Sequence, residues 1–381
     1  MRHSTRGDVD PFIVMDVMEA ARKAEAAGRH IIHMEVGQPG TGAPEAAKTK
    51  LIADMTDPLG YTVGLGLPEL RVRIAKHYAD WYKVEIDPAR VVITSGASGA
   101  FLLAFSALFD NDARVGLGTP CYPSYRQILK AVGLVPIDIQ TTFEQRFQPV
   151  PADVAAHNLD GLIVASPANP TGTMLNADAL RALSVACQRQ GAAFISDEIY
   201  HGIDYDVPPV TALQVTDDVY VVNSFSKYFS MTGWRVGWMI VPEDHVRRVE
   251  RLAQNMFICA PHAAQKLALY AMDCAPELDQ NRAVYAANRD LMIAGLKDAG
   301  LAKFAPPDGA FYIYVDVSDY TDDALSFAAQ MLETAGVAVT PGLDFDAARG
   351  HHWLRFSYAR ATEDIVEGLK RLKLFMQGRG A

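Results

Sequence analysis

Between residues 91 and 241 the chain repeats one pattern: a short apolar run, a small or polar breaker, then a helical stretch. The apolar runs fall at 91–94, 113–117, 134–139, 161–166, 192–197, 219–224 and 236–241. They are rich in Val and Ile and bounded by Gly, Pro, Asp or Ser, which marks them as strands. Several are apolar on consecutive positions, as strands covered on both faces must be. Helical patterns lie between them, at 99–109, 125–132 and 177–189. This alternation predicts an open α/β layer built on a mostly parallel sheet of seven strands sandwiched by helices. In such sheets a ligand sits beyond the carboxyl ends of the strands. Polar residues that directly follow an apolar run are therefore the first candidates for function.

The last hundred residues read differently. A helical stretch at 276–299 runs into the breaker Phe304-Ala305-Pro306-Pro307-Asp308-Gly309. Short strands follow at 311–315, 337–339 and 353–356, with a helix at 322–335, which predicts a smaller α+β unit. At the other end, a helix over 12–27 and an apolar run over 31–36 are too short for a domain and are expected to dock on another part of the chain. A length of 381 residues, at about 150 per domain, suggests two or three units.

Composition excludes more than it assigns. Thirty-five basic against 45 acidic side chains give a net charge of −10, a poor footprint for general nucleic-acid binding. The four cysteines form no CxxC and join no His cluster at zinc spacing, so neither a disulfide framework nor a metal site is expected. The first ten residues lack the apolar core of a signal peptide, and no run approaches the ~20 apolar residues of a membrane helix. A cytoplasmic protein without membrane or nucleic-acid partners is expected.

The segment richest in chemistry is Ser224-Phe225-Ser226-Lys227, followed by Gly233-Trp234-Arg235-Val236-Gly237, at the exit of the run 219–224. An isolated Lys is ordinarily a solvated surface charge. Here two hydroxyls precede it and an Arg follows eight residues later, amid aromatics. A buried Lys can lose its proton and attack a carbonyl to form a Schiff base. Hydroxyls and a guanidinium beside it suit a phosphate. A Schiff-base lysine next to a phosphate site suggests pyridoxal phosphate.

The Ser-x-Ser-Lys then Gly-x-Arg-x-Gly pattern resembles the lysine motif of the class I/II aminotransferases, pyridoxal-phosphate enzymes of fold type I related to aspartate aminotransferase. Further matches occur in order: Tyr61 with Gly64, Thr94-Ser95-Gly96-Ala97-Ser98, Pro120-Cys121-Tyr122-Pro123-Ser124-Tyr125, Asn169-Pro170-Thr171-Gly172, Asp197-Glu198-Ile199-Tyr200 and Arg355-Phe356-Ser357. The resemblance implies that Lys227 holds the cofactor covalently and then, freed by the substrate amine, acts as general base. It implies that Asp197 pairs with the pyridine nitrogen of the cofactor, and that Tyr200 and Asn169 bond its ring oxygen. Gly96, Ala97, Ser98, Ser224, Ser226 and Arg235 would form the phosphate cup. Tyr122 would stack on the ring, and Tyr61 would reach the phosphate of a neighbouring subunit, making the enzyme a homodimer with composite sites. Arg355 would clamp the substrate α-carboxylate, aided by Gly37 and Asn169. Taken alone, Asp197 reads as a cap, Asn169-Pro170 as a turn, Tyr122 as a core residue and Arg355 as a surface ion pair; only their order lifts them above that. The chain departs from the family pattern at Gly37-Gln38-Pro39-Gly40, where an Asp is common in place of Gly40, and at Ser98 or Gly99, where a longer polar residue is common.

The resemblance implies amino transfer between an amino acid and a 2-oxo acid by a ping-pong mechanism, in a large domain over 41–275 and a small one built from 1–40 and 276–381. A carbon–sulfur β-lyase on the same fold is the alternative, and a non-catalytic cofactor-binding regulator a remote one. The residues leave the substrate side chain open: Arg6, Arg126 and Lys130 are possible partners for a second carboxylate. Residues 12–18 and the small domain could close over the substrate. The pair His351-His352 reads as loop histidines, and Gly64-Leu65-Gly66-Leu67-Pro68 lacks the third glycine of a dinucleotide fingerprint.

Overall fold

The computed structural model describes residues 1–55 and 58–378. The last residues of the expected small domain, 379–381, and residues 56–57 of the expected large domain lie outside the described residues.

In chain order the strands are β1 (Ile32–His33), β2 (Val91–Thr94), β3 (Arg114–Thr119), β4 (Val135–Gln140), β5 (Gly161–Ala165), β6 (Ala193–Asp197), β7 (Tyr220–Ser224), β8 (Gly237–Ile240), β9 (Tyr312–Asp316), β10 (Val337–Ala338), β11 (Thr340–Pro341) and β12 (Trp353–Ser357). Strands β2 to β8 form one seven-stranded sheet in the order β2-β8-β7-β6-β5-β3-β4. The pairs β3–β4, β3–β5, β5–β6 and β6–β7 are parallel, while β8 runs antiparallel to both β2 and β7. Six strands therefore point the same way, and their carboxyl ends share one edge.

Consecutive apolar residues in these strands serve two different cores. Val91, Ile93, Leu162, Val164, Val221, Trp238 and Ile240 face one cluster, with Leu180, Leu183 and Cys187 of the helix Ala177–Gln190. Their neighbours Val92, Ile163, Val222 and Met239 face the other, with Phe101 and Phe105 of the helix Gly96–Leu108. Side chains alternate across a strand, so a layer of helices on each face demands apolar residues at every position.

The chain ends meet. β1 pairs in parallel with β10, Ile32 opposite Val337, and β9, β11 and β12 form an antiparallel sheet of three. The expected strand over 337–339 is thus two short pieces in different sheets, with β10 beside β1 and β11 beside β12. The expected helix over 322–335 is Ala324–Gln330 continued by a π turn, Met331–Ala335. Among the described residues no helix is long and apolar enough to cross a membrane.

The loop that follows β7 rests on a buried aromatic group. Phe225 is fully buried, with its ring centroid 4.8 Å from both Phe229 and Trp238. Removing that ring leaves a cavity under Lys227, two residues on. Phe225→Ala is expected to lower stability by about 3–5 kcal/mol in urea unfolding; a loss below about 1 kcal/mol would contradict this packing.

Candidate active site

Five loops leave the shared edge of the main sheet and converge on one cavity of about 230 Å³. β2 ends at Thr94 and the helix Gly96–Leu108 begins at once, presenting Gly96, Ala97 and Ser98. Tyr122 lies three residues beyond β3, Asn169 four beyond β5, Asp197 at the last position of β6, and Lys227 three beyond β7. The β9–β12 sheet closes the opposite side with Tyr312 and Arg355. Residues from the helix Ile13–Ala26 and the segment that follows β1 complete the wall.

Lys227 reaches across the cavity and donates to the Gly37 carbonyl at 2.6 Å. Its Nζ lies 5.5 Å from the Tyr200 ring centroid. Burial pushes its ammonium down to about 8, the nearby Arg355 and Arg235 charges push the same way, and Asp197 opposes them. At pH 7 about a tenth is thus the free amine, the nucleophilic form, against well under a thousandth for an ordinary lysine.

Asp197 is buried, and desolvation raises its carboxyl to about 6 against the bonds donated by the Tyr125 hydroxyl and the Ile199 N–H. Its neighbour Glu198 points to the other face of the sheet. There Ser196 Oγ and the Ala212 N–H donate to it, and burial pushes it up to about 8.

Ser224 and Ser226 are bonded to each other at 2.7 Å, Oγ to Oγ. Arg235, in a left-handed conformation at φ 52°, is exposed, and its Nη1 donates to the Thr232 carbonyl. Gly96 has φ 71°, and a Cβ there would lie 2.9 Å from the Arg235 guanidinium carbon. A helix start, two hydroxyls and an exposed guanidinium thus converge without a side chain between them, a fitting cradle for a phosphate.

Arg355 is 3% exposed. Nη1 donates to Asn169 Oδ1 at 3.0 Å, and Nη2 donates to Thr340 Oγ1 at 3.2 Å and to the Glu35 carbonyl. Its Nε has no partner, and it forms no ion pair among the described residues. The guanidinium stacks between Tyr312 and Phe345, 4.5 and 4.8 Å from their centroids. A buried cation with a spare donor and no counter-charge is built to receive an anion.

The sequence-derived residues therefore meet, with one exception. Gly37, Ala97, Ser98, Tyr122, Asn169, Asp197, Tyr200, Ser226, Lys227, Arg235 and Arg355 line the cavity; Gly96 and Ser224 touch its lining residues Arg235 and Ser226. Tyr61 is 81% exposed and lies outside the cavity. Tyr125 and Tyr312 were not given roles by sequence reasoning. Tyr125 follows Tyr122 by one helical turn, a spacing that could have exposed it. Tyr312 holds Tyr200 by a hydroxyl–hydroxyl bond of 2.8 Å, and nothing local in the sequence signals that contact. The histidines 351 and 352 stand in a short helical turn, and among the described residues no His/Cys/Asp/Glu group could hold a metal.

Comparison with known proteins agrees with this geometry. The sequence profile of the family "Aminotransferase class I and II" matches residues 29–372. A valine–pyruvate aminotransferase of Mycobacterium tuberculosis is 44% identical over 97% of both chains. A crystal structure of a Silicibacter pomeroyi protein assigned as an aminotransferase superposes over the full length of both chains with a TM-score of 0.96 and 66% identity. The aspartate aminotransferase of Thermus thermophilus with maleate superposes at a TM-score of 0.92 and 29% identity, over 98% of this chain and all of that one.

The lowered Lys227 proton affinity has a thermodynamic consequence. Between about pH 8 and 10.5 the unfolded chain binds more protons at this group than the folded protein does, so stability rises with pH through that window. In ligand-free protein, Lys227→Met should therefore be more stable than wild type at pH 7, and the gap should narrow towards pH 10.5 in urea unfolding. A gap that does not change with pH would refute the assigned environment.

Proposed function

The chain belongs to the class I and II aminotransferases, which depend on pyridoxal phosphate, and from that premise we propose how its own residues divide the work. The enzyme moves amino groups between amino acids and 2-oxo acids. The donor set fits the cofactor: a buried amine for its aldehyde, a buried carboxyl for its ring nitrogen, and the Gly96 cradle for its phosphate. When bound, the cofactor supplies an electron sink for the charge left as a proton departs from the substrate Cα.

In our reading Lys227 would hold the cofactor through its Nζ, and the same Nζ, when free, would take and return the substrate Cα proton. Asp197 would hold the ring nitrogen's proton, and the Tyr125 hydroxyl fixes that carboxyl in place. Tyr200, held by Tyr312, and Asn169 would donate to the ring oxygen, and Tyr122 would cover the ring face. Gly96, Ala97, Ser98, Ser224, Ser226 and Arg235 bind the phosphate. Arg355, Asn169 and Gly37 orient the substrate α-carboxylate. The observation that carries this assignment is Arg355: buried, unpaired, with a spare donor, on the wall facing Lys227.

We also propose a homodimer in which Tyr61 completes the partner's phosphate site. Tyr61, Val63, Met256 and Ile258 are all exposed, and their two segments are joined by a bond from the Thr62 N–H to Cys259 Sγ, placing exposed apolar groups on adjacent segments. The division into a cofactor unit over 41–275 and a second unit from 1–40 and 276–381, and a place in the cytoplasm, belong to the same reading. The relatives are named for valine–pyruvate and for aspartate exchange, so membership of the family leaves the substrate side chain open.

Lys227→Ala should abolish exchange with every amino donor; retained turnover would remove Lys227 from its role. Arg355→Lys keeps the charge but loses the planar fork, and should lower kcat/KM by about 10- to 100-fold, chiefly through KM. An unchanged KM would overturn the carboxylate clamp. Light scattering on the eluted protein should give twice the 41.6 kDa chain mass, and a monomer active at high dilution would exclude the shared site.

A further inference from the structure

The cations of the cavity lining are Lys227, Arg235 and Arg355 among the described residues, and the reading above uses all three. Beyond the residues which that reading assigns, the wall is largely apolar, with Gln38 and Thr232 as its polar side chains. Phe12, Met15 and Met18 come from the start of the helix Ile13–Ala26, with Val36 and Ile128 beside them. The three cations that the sequence offered for a second carboxylate do not line the cavity. Arg126 is paired with Asp138, Lys130 bridges Asp10 at 2.8 Å, and the Arg6 guanidinium lies against Gly133. Between Arg6 and Arg22 the chain carries Asp8, Asp10, Asp16 and Glu19 and no Lys or Arg. A second carboxylate brought to this wall would be desolvated beside apolar groups, with no further cation of this chain's own lining to pair with it among the described residues. An aliphatic side chain would instead bury its surface against two flexible thioethers and a ring, which adapt to its shape.

The wall is held from far along the chain. The helix Ile13–Ala26 has no side-chain cap of its own, since Phe12 stands at that position. Its first two N–H groups, of Ile13 and Val14, donate to the two oxygens of Asp344 at 2.9 and 3.0 Å. Asp344 is buried between β11 and β12, the strand that carries Arg355. The groups that meet the substrate carboxylate and those that meet its side chain are thus joined through one carboxylate.

We propose that the segment 12–18, docked on Asp344, reads the substrate side chain and selects amino acids with uncharged aliphatic side chains over dicarboxylic ones. The proposal rests on the aminotransferase reading and adds its substrate class, with Asp344 as a positioning residue.

The test uses the holoenzyme in single turnovers with L-leucine, L-valine, L-alanine, L-aspartate and L-glutamate. Leucine or valine should exceed aspartate and glutamate by about 100-fold in efficiency. Met15→Arg should lower the aliphatic rate and raise aspartate use. Asp344→Ala should raise the half-saturation of leucine about 10-fold and that of alanine, whose methyl is too short for the wall, less than about 2-fold. Asp344→Asn, which keeps one acceptor oxygen but turns the other position into a donor, should restore only part of the loss. Equal or better use of aspartate or glutamate by the wild type would overturn the selection, and equal shifts for leucine and alanine would overturn the docking role. Calorimetric titration with 4-methylpentanoate and with maleate separates this from the underlying reading. Tighter binding of the aliphatic acid supports the selection even if no donor is turned over, tighter binding of maleate overturns it, and absence of exchange with every donor counts against the aminotransferase reading instead.

Discussion

Two cations, Lys227 and Arg355, sit inside this protein without a carboxylate ion pair among the described residues, and the surrounding structure is arranged to hold them there. Desolvating a charge is costly unless polar groups replace the lost water. Here backbone carbonyls do much of that. Gly37 accepts from Lys227 and Glu35 accepts from Arg355, so one short segment after β1 solvates both. That segment is fixed in turn by Glu35, whose buried carboxylate bonds His33 at 2.8 Å, and by β1 lying beside β10. An ion pair would neutralise these cations more cheaply and would block the substrate. Carbonyls stabilise positive charge while leaving room for an anion.

The same arrangement accounts for a reactive lysine. Burial disfavours the ammonium, and the nearby Arg355 adds repulsion. Asp197 works against both, while desolvation raises its own carboxyl to about 6. The proton affinities of the two groups are thus brought towards each other by one shared low-dielectric cavity.

Much of this was legible in the sequence. All seven main strands appear within about two residues of their runs: most, buried on both faces, leave an unbroken apolar signature, while the partly exposed edge strand β4 shows it only in part. The residues that end those strands were legible too, since a parallel sheet gathers its carboxyl-end loops on one edge. What escaped were contacts between remote ordinary residues. Tyr312 beneath Tyr200, the carbonyls of Glu35 and Gly37, and Asp344 under the helix Ile13–Ala26 leave no local pattern. A backbone carbonyl has no residue identity to read, and the Asp344 contact spans 330 residues.

The sequence by itself determined the layered sheet, the order of its elements and the inventory of reactive groups. Hydrophobic period and breaker chemistry act locally and are written residue by residue. Only the tertiary structure decided which cations are free and which are spent. Arg126 and Lys130 read as basic letters just as Arg355 does, yet the fold gives the first two an aspartate each and leaves the third with none among the described residues. Whether a charge is available depends on its distance to other charges and to water, and those distances exist only once the chain has folded.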